Sequence, residues 1–152
     1  MKIKDRLVLA SFVGGIAAIA ANLFLYLINF FLPGHNINMP ELTTEIFLKF
    51  DPANIPTIIR ILGFIWSMVV GGIYSFLNIM MLDWTGWRLI MVKTVIVILG
   101  AWLIIAGSVI KSLSLAEYVS DEPWSIASFF IAHIFFAVVL SLLTKHFGSS
   151  DK

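Results

Sequence analysis

Four long apolar stretches, at 7–32, 58–82, 89–110 and 125–144, take up most of the 152 residues and are joined by short polar segments. Each is about 20 residues or longer, the length a helix needs to cross a ~30 Å hydrocarbon layer at about 1.5 Å per residue. Charged residues make up only 12% of the chain, about half the share found in soluble domains. Mean hydropathy is +0.98. In lipid every backbone N–H and C=O must be paired inside the structure, so only helices or a closed barrel can span. The runs are longer than barrel strands and do not alternate with period two, which selects helices. The expected fold is all-α. It is a single membrane domain over 1–152, with four transmembrane helices in an antiparallel bundle.

Charge sets the expected orientation. Four spans place both ends on one side of the membrane. With those ends inside, the inner basic residues are Lys2, Lys4, Arg6, Arg88, Lys93, Lys145 and Lys152, and the outer ones are Lys49, Arg60 and Lys111. The positive-inside rule then predicts N-in and C-in. Trp84 and Trp87 fall at the inner interface, and Tyr118 and Trp124 at the outer one, as an aromatic belt requires. Ala18-Ile19-Ala20 resembles a signal-peptidase site, but the apolar run continues past it to 32. An uncleaved first span is the expected reading. The location that follows is a membrane, crossed several times.

The first outer loop, 33–57, is the longest. Pro33-Gly34 ends the first span. A short interfacial helix is expected at about 40–50, with Leu42, Ile46, Phe47 and Phe50 on one face and Thr43, Thr44 and Lys49 away from it. The inner loop 83–88 is a tight hairpin that predicts spans two and three as antiparallel neighbours. Asp121 is placed to cap the last span, with Pro123 in its first turn.

Helices in lipid associate through close packing of small residues and through hydrogen bonds. The second span carries Gly63, Ser67, Gly71 and Ser75 at spacing four, followed by Asn78. The first span offers Ser11, Gly15, Ala18, Asn22, Tyr26 and Asn29. The third offers Gly100 and Gly107, and the last His133, Ala137, Ser141 and Thr144. The tetrapeptide Val-Gly-Gly-Ile occurs at 13–16 and again at 70–73. Counted along antiparallel helices the two copies fall at different depths, so they read as shared packing chemistry rather than an internal repeat.

Arg60 and Lys93 lie close enough to the span ends to reach lipid headgroups. His133 does not: eight residues into its span, it sits ~12 Å deep, near the midplane. A buried ionisable group there needs a partner. Asn22, Ser67 and Tyr26 fall near the same level, and a hydrogen bond from His133 to one of them across the bundle is expected. Structural stapling and a polar seam for a proton or solute, running past Asn22, Ser67, Asn78 and His133, are the two uses open to this cluster.

Several chemistries lack their residues. There is no cysteine, hence no disulfide or thiolate metal site. His35, His133 and His146 fall at separate levels and cannot share a metal. No paired intramembrane carboxylates, HExxH or P-loop occurs. No enzyme activity, cofactor or nucleic-acid partner is expected.

The opening Met1-Lys2-Ile3-Lys4-Asp5-Arg6-Leu7-Val8-Leu9 before a Gly/Ala-rich span, and the final Ala132-His133-Ile134-Phe135-Phe136-Ala137 with Lys145-His146-Phe147-Gly148, resemble the YqhR-like four-helix membrane proteins of Gram-positive bacteria. The resemblance implies fold and location alone, the location being a bacterial cytoplasmic membrane crossed several times. The expected function is a non-enzymatic component that binds membrane lipid and either another membrane protein or a second copy of itself. The alternative is a small-solute or ion transporter or channel.

Overall fold

The computed structural model describes residues 3–31, 39–45, 48, 55–105, 108 and 123–148. Among the described residues five α-helices follow one another: α1 (Arg6–Phe31), α2 (Met39–Glu45), α3 (Thr57–Thr85), α4 (Ile90–Ile104) and α5 (Pro123–Phe147). No strand occurs among the described residues. A single bridge joins Ile3 to Gly148, with the Ile3 amide donating to the Phe147 carbonyl at 2.8 Å. The start of the described chain at Ile3 and its end at Gly148 therefore meet at one end of the bundle.

The helix boundaries have local causes. Asp5 accepts the Val8 amide at 2.9 Å, covering one of the unpaired donors that open α1. Pro56 precedes α3 with extended backbone, its missing N–H costing nothing there. Gly86 ends α3 with φ 86° and ψ 155°, a conformation open essentially to glycine alone.

Among the described residues three helices are long and apolar enough to cross a membrane: α1, α3 and α5 from Trp124. α4 is equally apolar but covers only 15 residues, ~22 Å of rise, short of the ~30 Å of a hydrocarbon core. The expected span at 89–110 is thus described as helix over Ile90–Ile104. Its far end, including Gly107, lies outside the described residues, as do Pro33-Gly34 and the Asp121 cap.

α3 and α5 each pack along α1, and α4 packs mainly on α5. This alters the expectation for the hairpin: α3 and α4 are joined tightly, yet α4 takes α5 as its principal partner. The reason lies in side-chain size. The small-residue face of α3 is turned to α1, while Trp102 of α4 meets Phe130 of α5 with ring centroids 5.3 Å apart. One core cluster links the long helices through Leu9, Val13, Ile79, Ile98, Phe136 and Leu140. Large apolar side chains are left on the outside, among them Leu23, Leu27, Ile61, Ile65, Ile73, Val92 and Ile96. Such surfaces suit hydrocarbon rather than water.

α2 is described over Met39–Glu45, and Ile46, Phe47, Lys49 and Phe50 of the expected helix at about 40–50 lie outside the described residues. Polar groups face the protein beside the buried Pro40. Thr44 is fully buried; its hydroxyl donates to the Pro40 carbonyl at 2.8 Å and reaches the Ile59 carbonyl at 3.3 Å. Glu41 is buried beside Arg60, with 3.8 Å between carboxylate and guanidinium. Gly63 of α3 admits this close approach: a Cβ there would run into the Pro40 carbonyl.

Candidate functional site

The interface of α1 and α3 is closed in layers. At the end where the termini meet, Arg6 pairs with Asp83 at 3.0 Å. Asp83 also accepts from the Trp87 indole at 2.9 Å, and the Arg6 guanidinium lies 5.3 Å above the Trp87 ring. Next come Gly14 and Gly71. A Cβ on Gly14 would collide with the Gly71 carbonyl, and one on Gly71 would lie 2.6 Å from the Gly14 carbonyl. The two Val-Gly-Gly-Ile copies therefore cross at one level, which corrects the different depths read from residue counting.

Above this crossing the Asn22 amide donates to the Ser67 hydroxyl at 2.8 Å, and Ser67 donates to the Phe64 carbonyl at 2.8 Å. Tyr26 and Phe64 then stack with centroids 6.2 Å apart. Between the glycine crossing and this stack lies a cavity of about 50 Å³. Its α1 wall is Ala18, Ala21 and Asn22, and its α3 wall is Ser67, Val70, Gly71 and Tyr74. α5 adds Ala132, His133 and Phe136. Tyr74 and Phe136 meet edge to face at 6.3 Å across it. The volume suits a few waters or a group of two or three heavy atoms.

Three of the five residues expected in one intramembrane polar cluster thus line one cavity: His133, Asn22 and Ser67. Tyr26 sits beyond it in the stack with Phe64. Asn78 is fully buried outside it, and neither end of its amide has a partner among the described residues. The expected bond from His133 across the bundle does not form. Its Nδ1 lies 2.8 Å from the Phe129 carbonyl one turn back on α5. A carbonyl only accepts, so Nδ1 carries the hydrogen and Nε2 is left as an acceptor in the neutral ring. The preceding turn satisfies the ring without reaching another helix. On the α4 side the ring packs against Trp102, with centroids 5.8 Å apart.

The expected packing residues divide. Gly63, Ser67, Gly71 and Ser75 are all buried, as are Ala18, Ala137, Ser141 and Thr144. Gly15 is buried but meets only the Met68 methyl at 3.6 Å; its neighbour Gly14 makes the crossing. Gly100 faces open space and packs nothing closely. Ser11 is exposed. Arg60 is exposed but turned to Glu41. Lys93 extends to the hairpin, where its ammonium donates to the carbonyls of Thr85 and Gly86 at 2.9 and 2.8 Å. Those carbonyls end α3 and attract a cation placed one hairpin away.

Sequence reading missed Tyr74, Glu41 and Trp102, and of the two glycines in the 13–16 tetrapeptide it set Gly15 rather than Gly14 on the packing face. Tyr74 had a usable signal, because it lies seven residues after Ser67 and three after Gly71, on the same helix face. Trp102 had none, since its contact with His133 depends on which helix α4 chooses as a partner.

No family model matches the chain, and no curated protein or solved structure matches it. The fold itself defines an α-helical membrane protein: three helices have the length and apolarity to span, and large apolar side chains cover their outer faces.

Proposed function

We propose that the chain is a four-span protein of a bacterial cytoplasmic membrane, N-in and C-in, that serves as a non-enzymatic component of a membrane assembly. The YqhR-like resemblance of its ends points the same way on fold and location. The meeting of Ile3 with Phe147 and Gly148 supports an even number of spans. The same end carries Arg6 and the hairpin residues Arg88 and Lys93, as an inner face would.

The observation that carries the assembly reading is the state of α3. Only 17% of its most apolar window is buried, against 44% for α1 and for α5. Its single small-residue face is used on α1 and α2. Its remaining faces, with Ile61, Ile65, Met68, Ile73 and Leu77, stay uncovered and offer a large surface to lipid and to a partner helix.

The cavity favours the transporter reading as the alternative. A polar path past Asn22, Ser67 and His133 would have to continue toward the end where the termini meet. There the backbones of α1 and α3 touch at Gly14 and Gly71, and Leu9, Val13, Leu82 and Leu140 are fully buried. This weighs toward assembly.

Native mass spectrometry on the protein extracted in polymer discs from its own membrane tests the proposal. A stoichiometric second protein is the expected result. A monomer or homo-oligomer carrying only lipid or a small molecule would overturn the accessory role and turn attention to flux assays on His133→Ala.

A further inference from the structure

Trp87 gathers three segments of the chain at the end of the bundle where Ile3 meets Gly148. The Arg6 guanidinium lies 5.3 Å above its ring, and the indole N–H donates to Asp83 at 2.9 Å. The ring edge lies 2.8 Å from where a Gly148 Cβ would stand. The Ile3 amide donates to the Phe147 carbonyl at 2.8 Å, and Phe147 meets Phe12 edge to face at 5.3 Å. The start of α1, the α3–α4 hairpin and the end of α5 are thus held side by side. Lys4 follows Ile3, Arg88 follows Trp87, and Lys145 stands in the last turn of α5; all three are exposed.

The charge at this end is one-sided. Among the described residues it carries Lys4, Arg6, Arg88, Lys93 and Lys145 against Asp5 and Asp83. Both acids are occupied. Asp5 accepts the Val8 amide, and Asp83 takes Arg6 on one oxygen and the Trp87 indole on the other. Lys4 and Arg88 have no ion pair among the described residues. At the α2 end, by contrast, Arg60 is turned to Glu41. Exposed cations held close together with no carboxylate facing them attract an anion.

The neighbours of these cations decide what carries the anion. Leu7 in the first turn of α1 is 64% exposed, Trp84 in the last turn of α3 is 88% exposed, and Leu89 beside Arg88 is 66% exposed. Apolar and aromatic side chains of this kind lie where hydrocarbon gives way to headgroups, and basic side chains beside them reach the phosphate layer on their own aliphatic stems. A soluble anion would use the charges and leave the apolar side chains in water.

We propose that this rim binds anionic phospholipid, the phosphate accepting from Lys4, Arg88 and Lys145 while the acyl chains lie against Leu7, Trp84 and Leu89. The proposal rests on the helices spanning a membrane; it is independent of the assembly role and of the side to which this end is turned.

The test is native mass spectrometry of the full chain in neutral detergent micelles, titrated with phosphatidylglycerol or with phosphatidylcholine of the same acyl chains. Phosphatidylglycerol is expected to bind about tenfold tighter or more. Lys4→Gln, Arg88→Gln and Lys145→Gln should each weaken it about fivefold at low salt, the effect of one basic side chain at a charged surface, and leave phosphatidylcholine unchanged. Because these side chains are exposed, the triple variant keeps the fold and should lose the preference altogether. Arg60→Gln should retain it. Glycerol 3-phosphate, a headgroup without chains, should not displace the lipid. Equal binding of the two lipids, a preference that survives the triple variant, or an equal loss in Arg60→Gln would overturn the surface, and displacement by glycerol 3-phosphate would replace the lipid with a soluble phosphate.

Discussion

Gly14 and Gly71 bring the backbones of α1 and α3 into direct contact, each occupying the space a Cβ on the other's helix would need. Ala18 lies against the same point, 2.8 Å from where a Gly71 Cβ would stand. Everything above this crossing, including the Asn22–Ser67 bond and the cavity, depends on the separation it allows.

The first prediction follows from that contact. Gly14→Ala and Gly71→Ala should each destabilise the protein by about 1–3 kcal/mol, because the atoms in the way are backbone and cannot rotate aside. Gly15→Ala and Gly100→Ala, which meet a movable Met68 methyl and open space respectively, should be neutral or stabilising by up to ~1 kcal/mol. Unfolding in mixed micelles separates the two pairs. Equal effects across all four would refute the crossing.

The Asn22–Ser67 bond should give a measurable coupling. A double-mutant cycle with Asn22→Ala and Ser67→Ala is expected to return about 0.6–1.7 kcal/mol, the range for hydrogen bonds between membrane helices. The matching cycle between Ser67 and His133 should return almost nothing, because His133 bonds within its own helix. A large His133 coupling would restore the cross-bundle bond expected from sequence.

Gly86 is predicted to be irreplaceable for a backbone reason. Its φ of 86° with ψ of 155° excludes other residues, and no side chain would clash there. Gly86→Ala should cost about 1–3 kcal/mol purely through strain. An unchanged melting temperature would show that the hairpin adopts another turn.

Lys93 should act as a cap rather than a surface charge. Lys93→Met, which keeps the length and apolar stem, is expected to cost about 0.3–1 kcal/mol by leaving the Thr85 and Gly86 carbonyls without their cation. Lys93→Arg should retain most of it. If Lys93→Met changes anionic-lipid retention in native mass spectra but not stability, the headgroup role is the correct one.

Much of this structure is legible from residue order alone. Apolar runs of about 20 residues force helices, because lipid pairs no backbone groups. The spacing-four stripe of Gly63, Ser67, Gly71 and Ser75 marks the buried face of α3, since every fourth residue returns to one side of a helix. Asn22, Ser67 and His133 could be brought toward one level by counting. What counting could not supply was the point of closest approach of α1 and α3, which placed Gly14 rather than Gly15 against Gly71 and set the two Val-Gly-Gly-Ile copies face to face. Nor could it supply the choice of α5 over α3 as the partner of α4, which brought Trp102 to His133. The partner within reach then settled four further side chains. His133 turned to the Phe129 carbonyl and Lys93 to the end of α3, while the polar side of α2 turned inward to Ile59 and Arg60. Helix existence is a local matter of hydropathy and backbone pairing. Helix contact depends on side-chain volume and on groups far apart in the chain, and only the packed molecule decides it.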